Sequence, residues 1–257
     1  LPDFLPPQRK PVRSPGVKRL YSLVVGGAGP RPNIRRFNVL YANAARVART
    51  MELREVLDTL ESDLQLYVAE RARRRLFVHA GVVGWRGRAI VIPGRSFSGK
   101  STLVAALVRS GATYYSDEYA VFDAQGRVHP YLKPLSIREG EARPRKFRPA
   151  ELGGFLGLEP LPVGLVVVTS YRAGAQWRPR RVSPGRAVMA LLANTVSARR
   201  QPQLALTILP RVVSQALLLN GVRGQAEELV DSVLNKAERA PIVSTKNGRE
   251  RVAAYGG

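Results

Sequence analysis

Residues 89–103 read AIVIPGRSFSGKSTL, and this stretch decides the fold. Its first part, 89–93, is an apolar run with branched side chains that predicts a strand. Residues 94–101, the 94–101 motif, fit the pattern G-x-x-x-x-G-K-[ST] at every fixed position, and a helix is predicted from Lys100 to about Ser110. A glycine-rich loop between a strand and a helix is the context in which this pattern binds nucleotide phosphates.

The residue types of the 94–101 motif suit phosphate binding. Gly94 and Gly99 let the backbone wrap closely enough for successive N–H groups to point at phosphate oxygens. Lys100 supplies a positive charge for the β and γ phosphates, and Ser101 supplies a hydroxyl for Mg²⁺. The predicted helix adds free N–H groups and the positive end of its dipole. Nucleotide binding is therefore the first functional prediction.

Two adjacent acids, Asp117 and Glu118, follow the predicted strand 112–116. A phosphate-binding loop of this type needs an acidic partner for the metal, which normally ends an apolar strand beside the loop. These acids follow Lys100 by only about one helix and one strand, which is earlier than in most ATPases and GTPases with this motif. The alternative interpretation is a polar turn, a position that Asp favours by itself.

A histidine, His79, lies on the predicted strand 76–85, which a short Arg86-Gly87 turn joins to the strand 88–93. A two-residue turn joins antiparallel neighbours only, so the predicted sheet is mixed rather than purely parallel. A lone histidine on an apolar strand is more often a satisfied core residue than a functional one. The residues alone leave both roles of His79 open.

Three features together resemble a known family. They are His79-Ala80-Gly81 before the 94–101 motif, the motif itself, and Ser116-Asp117-Glu118 after it. Their order and spacing are similar to those of the catalytic domain of the bacterial HPr kinase/phosphorylase, over roughly Leu76 to Arg138. The segment 223–227 also resembles members of the wider HPr-kinase-like group. The resemblance implies an α/β P-loop domain with a mixed, twisted sheet of that catalytic-domain type.

The resemblance also implies a role for each matching residue. Mg²⁺ is held by Ser101 and Asp117. Glu118 stands where the family has a second Asp, which accepts the proton of the attacking serine hydroxyl, and His79 matches an active-site histidine. The catalytic set implied in this way is Glu118, Asp117, His79 and Lys100. The implied nucleotide is ATP, and its binding residues are Gly94, Arg95, Ser96, Phe97, Ser98, Gly99, Lys100, Ser101 and Thr102.

Departures from the family concern the metal and the substrate. A later family glutamate binds metal, and its nearest counterparts here, Glu139 and Glu141, do not align with it cleanly. The family's glycine-rich signature is not recognisable in 138–156, and the residues before His79 do not resemble the amino-terminal domain of true HPr kinases. The expected acceptor is therefore not HPr itself, but a hydroxyl group on a small molecule, peptide or protein.

The composition is that of a folded protein, with 257 residues of which 45% are hydrophobic and 23% charged. The absence of cysteine excludes thiolate catalysis and cysteine-ligated zinc, and two histidines are too few for a histidine-rich metal site. No apolar run approaches the roughly 18 residues of a membrane span. We therefore expect a cytoplasmic protein without a membrane partner, and a homo-oligomer is left open.

Positive charge is in large excess, with 41 Lys and Arg against 19 Asp and Glu and a formal net charge of +22. No acid occurs between Pro160 and Ala226, where arginines are frequent. One interpretation is that these arginines are solvated cations without a specific partner. The other is that they attract an acidic acceptor, peptide or protein, weakly and with a strong dependence on salt.

Three regions are predicted along the chain. Residues 1–18 contain five prolines and are predicted to be a disordered basic tail. Residues 19–75 are predicted to form a small α+β amino-terminal cap with a helix capped by Thr50, and residues 76–257 form the P-loop, HPr-kinase-like domain. In that domain we also predict a basic loop over 130–149, a strand over 161–170, and helices over 184–197, 204–219 and 225–236.

Three functions follow from these features. The first is an ATP-dependent kinase, and the second is a nucleotide-binding regulator or scaffold without turnover. The third is a nucleic-acid-directed protein whose arginines contact phosphates. Only Tyr171 and Trp177 are visible candidates for stacking on bases in the arginine-rich part, so nucleic acid is the least favoured partner.

Overall fold

The structure is a computed structural model that describes residues 4–7, 9–13, 16–28, 35–94, 98–137 and 145–240. It has a mixed α/β architecture. The helices are α1 (Leu53–Arg71), α2 (Lys100–Arg109), α3 (Pro184–Leu192), α4 (Pro202–Ser214) and α5 (Val230–Glu238). The strands are β1 (Tyr21–Val24), β2 (Gly27–Ala28), β3 (Arg35–Arg36), β4 (Asn38–Ala42), β5 (Ala45–Thr50), β6 (Leu76–Trp85), β7 (Arg88–Pro93), β8 (Thr113–Ser116), β9 (Tyr119–Phe122), β10 (Val128–His129), β11 (Leu135–Ile137), β12 (Arg145–Phe147), β13 (Val163–Tyr171), β14 (Arg180–Arg181) and β15 (Leu217–Arg223). Among the helices in these ranges, none has the length and hydrophobicity of a membrane-spanning segment.

The central sheet has eight strands in the order β10-β9-β6-β7-β13-β15-β14, with β8 pairing β6 beside this path. Strands β7, β13 and β15 run parallel to one another, whereas β6 pairs antiparallel with β7, β8 and β9. The β6–β7 hairpin turns at Arg86 and Gly87, whose φ angles of 47° and 75° are typical of a tight two-residue turn. The prediction of a mixed sheet is therefore confirmed.

Helices cover both faces of the sheet. On one face α2 and α5 pack against the strands, and Ile92 and Leu103 lie in that core. On the other face α3 and α4 pack around Val91, Val166 and Ile208. Successive residues of a strand point to opposite faces, so strands covered on both sides are apolar at nearly every position.

The amino-terminal part contains the antiparallel sheet β1-β4-β5, against which α1 packs through Leu40 and Val56. Helix α1 begins at Leu53, and the prediction of Thr50 as its N-cap is wrong. Glu52 stands at the N-cap, and its N–H donates to Thr50 Oγ1 at 3.2 Å. The Thr50 hydroxyl therefore accepts from the chain just before the helix and donates to the Glu55 carboxylate at 2.7 Å, instead of accepting from an N–H of the first helical turn.

One predicted helix, over 204–219, is wrong at its end. Helix α4 stops at Ser214, and the following leucine-rich segment forms β15, which lies between β13 and the edge strand β14. A run that is apolar on every side fits a buried helix and a buried parallel strand equally well. Pairing with β13, from Leu165 opposite Leu217 to Tyr171 opposite Arg223, decides in favour of the strand.

A second correction concerns the predicted loop over 130–149. It contains the short antiparallel pair β11–β12, in which Ser136 lies opposite Lys146. Strands of three residues are too short for an alternating pattern to be visible in the sequence. The connection 138–144 lies outside the described residues, and with it lie the predicted counterparts of the family's metal ligand, Glu139 and Glu141.

A glycine of β6 allows α2 to lie close to the sheet. A methyl group on Gly81 would stand 2.5 Å from Cγ2 of the fully buried Val104. We predict that Gly81→Ala lowers the free energy of unfolding by about 1–3 kcal/mol, because overpacking displaces α2. Gly185→Ala in α3, where no atom lies within 4 Å of the added methyl, is the matched control and should not destabilise the protein. Urea denaturation measures both, and equal stabilities would contradict the close packing.

Candidate functional site

The 94–101 motif connects the end of β7 to the start of α2. The Gly94 N–H donates to the His79 carbonyl at 3.2 Å, and a methyl group on Gly94 would lie 2.7 Å from Ser98 Oγ. Gly99 has a φ of 80°, in the left-handed region that favours glycine. The backbone conformation therefore requires glycine at position 99, whereas at position 94 an added methyl group would displace the Ser98 side chain. The predicted nucleotide contacts Arg95, Ser96 and Phe97 lie outside the described residues, and Thr102 is exposed in the first turn of α2.

A lysine at the start of α2 lies in the electric field of both predicted acids. Burial lowers the pKa of Lys100, and the negative charges of Glu118 and Asp117 oppose this shift. The side chain therefore stands partly out of water beside two carboxylates. The sequence-predicted residues Lys100, Asp117 and Glu118 are thus brought together.

The two acids occupy a kink in a nearly continuous strand path. Strands β8 and β9 both pair antiparallel with β6, one after the other, and Asp117 and Glu118 lie between them. The Ser116 hydroxyl accepts from the N–H groups of Glu118 and Tyr119 at 3.1 and 3.0 Å, and the Ala80 N–H donates to the Glu118 carbonyl at 3.2 Å. Irregularities of this kind interrupt strand pairing and are frequent beside functional sites.

Asp117 is a buried carboxylate with a relative exposure of 6%. Its Oδ2 accepts from the Ser136 N–H at 3.0 Å, and its carboxylate also bonds the Ser101 side chain. Burial raises the pKa of Asp117 to about 6, Glu118 adds to this rise, and the bonds from Ser136 and Ser101 and the charge of Lys100 oppose it. The predicted metal-binding pair, Ser101 and Asp117, is therefore in direct contact.

The oxygens of Ser101 and Asp117 fit Mg²⁺ in chemical type, since this ion prefers oxygen ligands. No group of three or more His, Asp or Glu side chains in the described part of the chain could hold a metal ion. Mg²⁺ usually keeps several waters and binds through one or two carboxylates together with substrate phosphates. A site with one carboxylate and one hydroxyl therefore suits Mg²⁺ that arrives with a nucleotide.

Glu118 differs from Asp117 in its exposure. Its side chain is 44% exposed, and Glu118 Oε1 lies 3.5 Å from Nδ1 of His79, whose side chain is 33% exposed. The His79 ring packs against Tyr119, with 4.8 Å between the ring centroids. His79 is therefore not a fully enclosed core residue, and its imidazole faces the second acid.

An open cleft of about 810 Å³ begins at the two acids and extends to α1. His79, Asp117 and Glu118 line one end, and Arg54, Asp58 and other residues of α1 line the other. The lining includes no residue of the acid-free segment 160–226. The helix of the predicted amino-terminal cap is thus a wall of this cleft, whereas the arginine-rich part is not.

Several residues around the cleft were not found from the sequence. The Tyr114 hydroxyl donates to the Lys133 carbonyl at 2.6 Å and lies 3.4 Å from Asp117 Oδ1. The Lys133 ammonium bonds Glu61 of α1, and Lys146 Nζ donates to the same carboxylate at 2.7 Å. Burial by itself would raise the pKa of Glu61, but the two lysines lower it below its usual range. An acid on the buried face of an amphipathic helix was the visible signal for this cluster.

An arginine at the end of β15 is tied to the 94–101 motif. Arg223 is 2% exposed, its Nη2 donates to the Gly99 carbonyl at 2.9 Å, and its Nη1 donates to the Gly224 carbonyl at 3.0 Å. Burial lowers the pKa of Arg223, and Tyr171 and Glu227 oppose this shift. The sequence marked Arg223 as one of the arginines of the acid-free segment and by the family resemblance of 223–227, and neither signal predicts a contact with the motif.

The raised pKa of Asp117 predicts a cost in stability. A carboxyl whose folded pKa lies near 6 binds its proton more tightly in the folded than in the unfolded state, so the protein gains stability as the pH falls from 7 towards 4. We predict that Asp117→Asn raises the free energy of unfolding at pH 7 by about 2 kcal/mol and flattens this pH dependence. Denaturation of metal-free protein at pH 5 and 7 measures both effects. A variant less stable than wild type at pH 7 would contradict the assignment.

The two lysines on Glu61 form a matched pair, because they share one carboxylate but differ in burial. Lys133 has 9% of its side chain exposed and Lys146 has 35%. We predict that Lys133→Met lowers the free energy of unfolding by about 2 kcal/mol, and that Lys146→Met costs under about 1 kcal/mol. Glu61 has a lowered pKa, so its contribution is present at neutral pH and is lost as the pH falls below about 4. Equal losses from the two variants at pH 7 would contradict the buried pair.

No protein-family model matches this chain, and no curated protein sequence matches it. The similarity to the HPr kinase family therefore stays a hypothesis, and it depends on the three sequence motifs and on the geometry of the residues that they contain.

Proposed function

We propose that the protein is an ATP- and Mg²⁺-dependent kinase of the HPr-kinase-like type, with a P-loop at residues 94–101, that transfers the γ-phosphoryl group to a hydroxyl acceptor. The observation that carries the proposal is the contact between Ser101 and Asp117, with Glu118 beside them on an open cleft. A phosphoryl-transfer site needs this combination of a phosphate-binding loop, a metal carboxylate and a second acid for the acceptor.

The start of α2 and the loop before it bind ATP. The backbone N–H groups of the 94–101 motif and the amino terminus of α2 receive the phosphates, and Lys100 adds a positive charge. Ser101 and Asp117 would hold Mg²⁺, which supplies neutralisation of the phosphate charge when it is bound. The raised pKa of Asp117 favours this role, because binding a cation relieves the cost of a buried charge.

The hydroxyl acceptor binds in the cleft, next to Glu118. Glu118 is half exposed at the end of the cleft, where a hydroxyl-bearing molecule can approach. In the transfer, the acceptor oxygen forms a bond to the γ-phosphorus, the bond from that phosphorus to ADP breaks, and the hydroxyl proton passes to the Glu118 carboxylate. His79, 3.5 Å from that carboxylate, positions it. The cleft of about 810 Å³ accommodates a small molecule or a peptide segment.

The charged side chains that line the cleft indicate what kind of acceptor it binds. An acidic acceptor held by the arginines of 160–226 stays a prediction, and none of the residues that line the cleft belongs to that segment. The cations that do line it, Arg54, Lys133 and Lys146, lie next to the carboxylates of Asp58 and Glu61. This arrangement favours recognition by polar groups of both signs over general attraction to an anion.

Neutralising a metal ligand impairs nucleotide binding and transfer, whereas neutralising a proton acceptor impairs the transfer step alone. This difference tests the proposal. Asp117→Asn should weaken Mg²⁺-dependent ATP binding and transfer together, because the charge that fixes the ion is lost. Glu118→Gln should bind Mg·ATP nearly normally and lose about 10²- to 10⁴-fold in the transfer step, since an amide cannot accept the proton. Calorimetric titration with ATP and single-turnover transfer to candidate hydroxyl compounds and peptides measure the two effects.

The outcome also separates a kinase from a nucleotide-binding regulator. If Glu118→Gln transfers phosphate at the wild-type rate, the proposed role of Glu118 is wrong. If the wild-type protein binds Mg·ATP but transfers nothing to any hydroxyl compound tested, the regulator without turnover becomes the better hypothesis.

A further inference from the structure

The strand order separates two flanks of the 94–101 motif. On one side of β7 lies β6, which pairs with β8 and β9. Asp117 and Glu118 lie in the chain between β8 and β9, and are therefore on this side of β7. On the other side lie β13 and then β15, both parallel to β7 and therefore ending at the same edge of the sheet. If the γ-phosphate of a nucleotide faces the acids, as in the proposed function on which this inference rests, its nucleoside points to the flank of β13 and β15.

Strand β13 extends beyond the end of β7 on this flank. Val166 lies opposite Val91, so Val168 is level with Pro93, the last residue of β7. Tyr171 ends β13 three residues later, which corresponds to about 10 Å of strand. The end of β13 therefore extends about 10 Å past the last residue of β7.

Tyr171 lies on the face of the sheet that α2 covers. Leu165 and Val167 belong to the core beneath α2 and α5, and alternation places Tyr171 on the same face. Tyr171 is nevertheless 50% exposed, which is unusual for a large aromatic residue of a central strand. The exposed ring and the amino terminus of α2 are thus on one side of the sheet.

Arg223 joins the Tyr171 ring to the motif. The guanidinium carbon lies 5.5 Å from the ring centroid, and Nη2 of the same group donates to the Gly99 carbonyl at 2.9 Å. A cation near an aromatic face is attracted to the ring, so a buried Arg223 restrains Tyr171. An aromatic ring held in place before a ligand arrives loses little conformational entropy on binding it.

We propose that Tyr171 is the platform on which the nucleobase of the bound nucleotide stacks, and that Arg223 positions this platform against the 94–101 motif. Stacking is tolerant of base identity, because every base presents a π face. The other aromatic candidate, Trp177, is not suited to this role, since its ring packs against Gly221 and the core. The ligand class is a nucleoside triphosphate, with weak selection between adenine and guanine.

Comparing ATP with inorganic tripolyphosphate measures the contribution of the base to binding, because tripolyphosphate carries the phosphates without a nucleoside. In calorimetric titrations with Mg²⁺, Tyr171→Ala should weaken ATP binding about 5- to 150-fold, the range that base stacking supplies, and leave tripolyphosphate binding unchanged. Tyr171→Phe keeps the ring and should recover most of the ATP affinity. The control is Phe155→Ala, which removes a ring that is 78% exposed and belongs to none of the strands beside the 94–101 motif. It should change neither affinity.

Each outcome of these titrations is decisive. Equal losses of ATP and tripolyphosphate affinity in Tyr171→Ala would show that the ring supports the phosphate loop structurally, and unchanged ATP affinity would show that no base stacks there. Either result overturns the platform and leaves the proposed kinase intact. If the wild-type protein binds neither ATP nor tripolyphosphate, the proposed function fails, and the platform fails with it.

Discussion

The burial of one carboxylate, Asp117, constrains much of the surrounding structure. A buried negative charge is costly unless hydrogen bonds and nearby cations compensate for it. Ser136 and Ser101 donate to this carboxylate and Lys100 lies near it, yet its pKa is still raised to about 6. The kink between β8 and β9 and the close approach of α2 over Gly81 are both needed to assemble these partners. The compensation is incomplete, and under the proposed function a bound Mg²⁺ would complete it.

The segment that follows β10 connects this carboxylate to the amino-terminal helix. Tyr114 bonds the carbonyl of Lys133, Ser136 bonds Asp117, and the ammonium of Lys133 bonds Glu61 on α1. One short stretch of backbone therefore contacts the buried acid on one side and α1 on the other. Because α1 also walls the cleft, its position and the position of the acid are set by the same contacts.

Local signals explain what could be predicted from the sequence. The hairpin turn at Arg86-Gly87, the glycines of the 94–101 motif and the acids after β8 are each specified within a few residues, and the structure places them as expected. The predicted helix 204–219 runs three residues into β15, because only the pairing with β13 distinguishes this part of the strand from a buried helix. The contact between Arg223 and Gly99 joins residues 124 positions apart, and no local pattern encodes it.

The arginine-rich part illustrates why net charge alone does not identify a binding site. Its residues Arg180 and Arg181 form β14, which is the edge strand of the central sheet, and both are exposed. Charged side chains on an edge strand oppose pairing with a second sheet, so these two arginines have a structural reason to be cationic. Arg223 is the opposite case, because it is buried and bonded to the motif. Positive charge on this chain therefore has to be assigned residue by residue, by burial and contact, before any of it is attributed to an anionic partner.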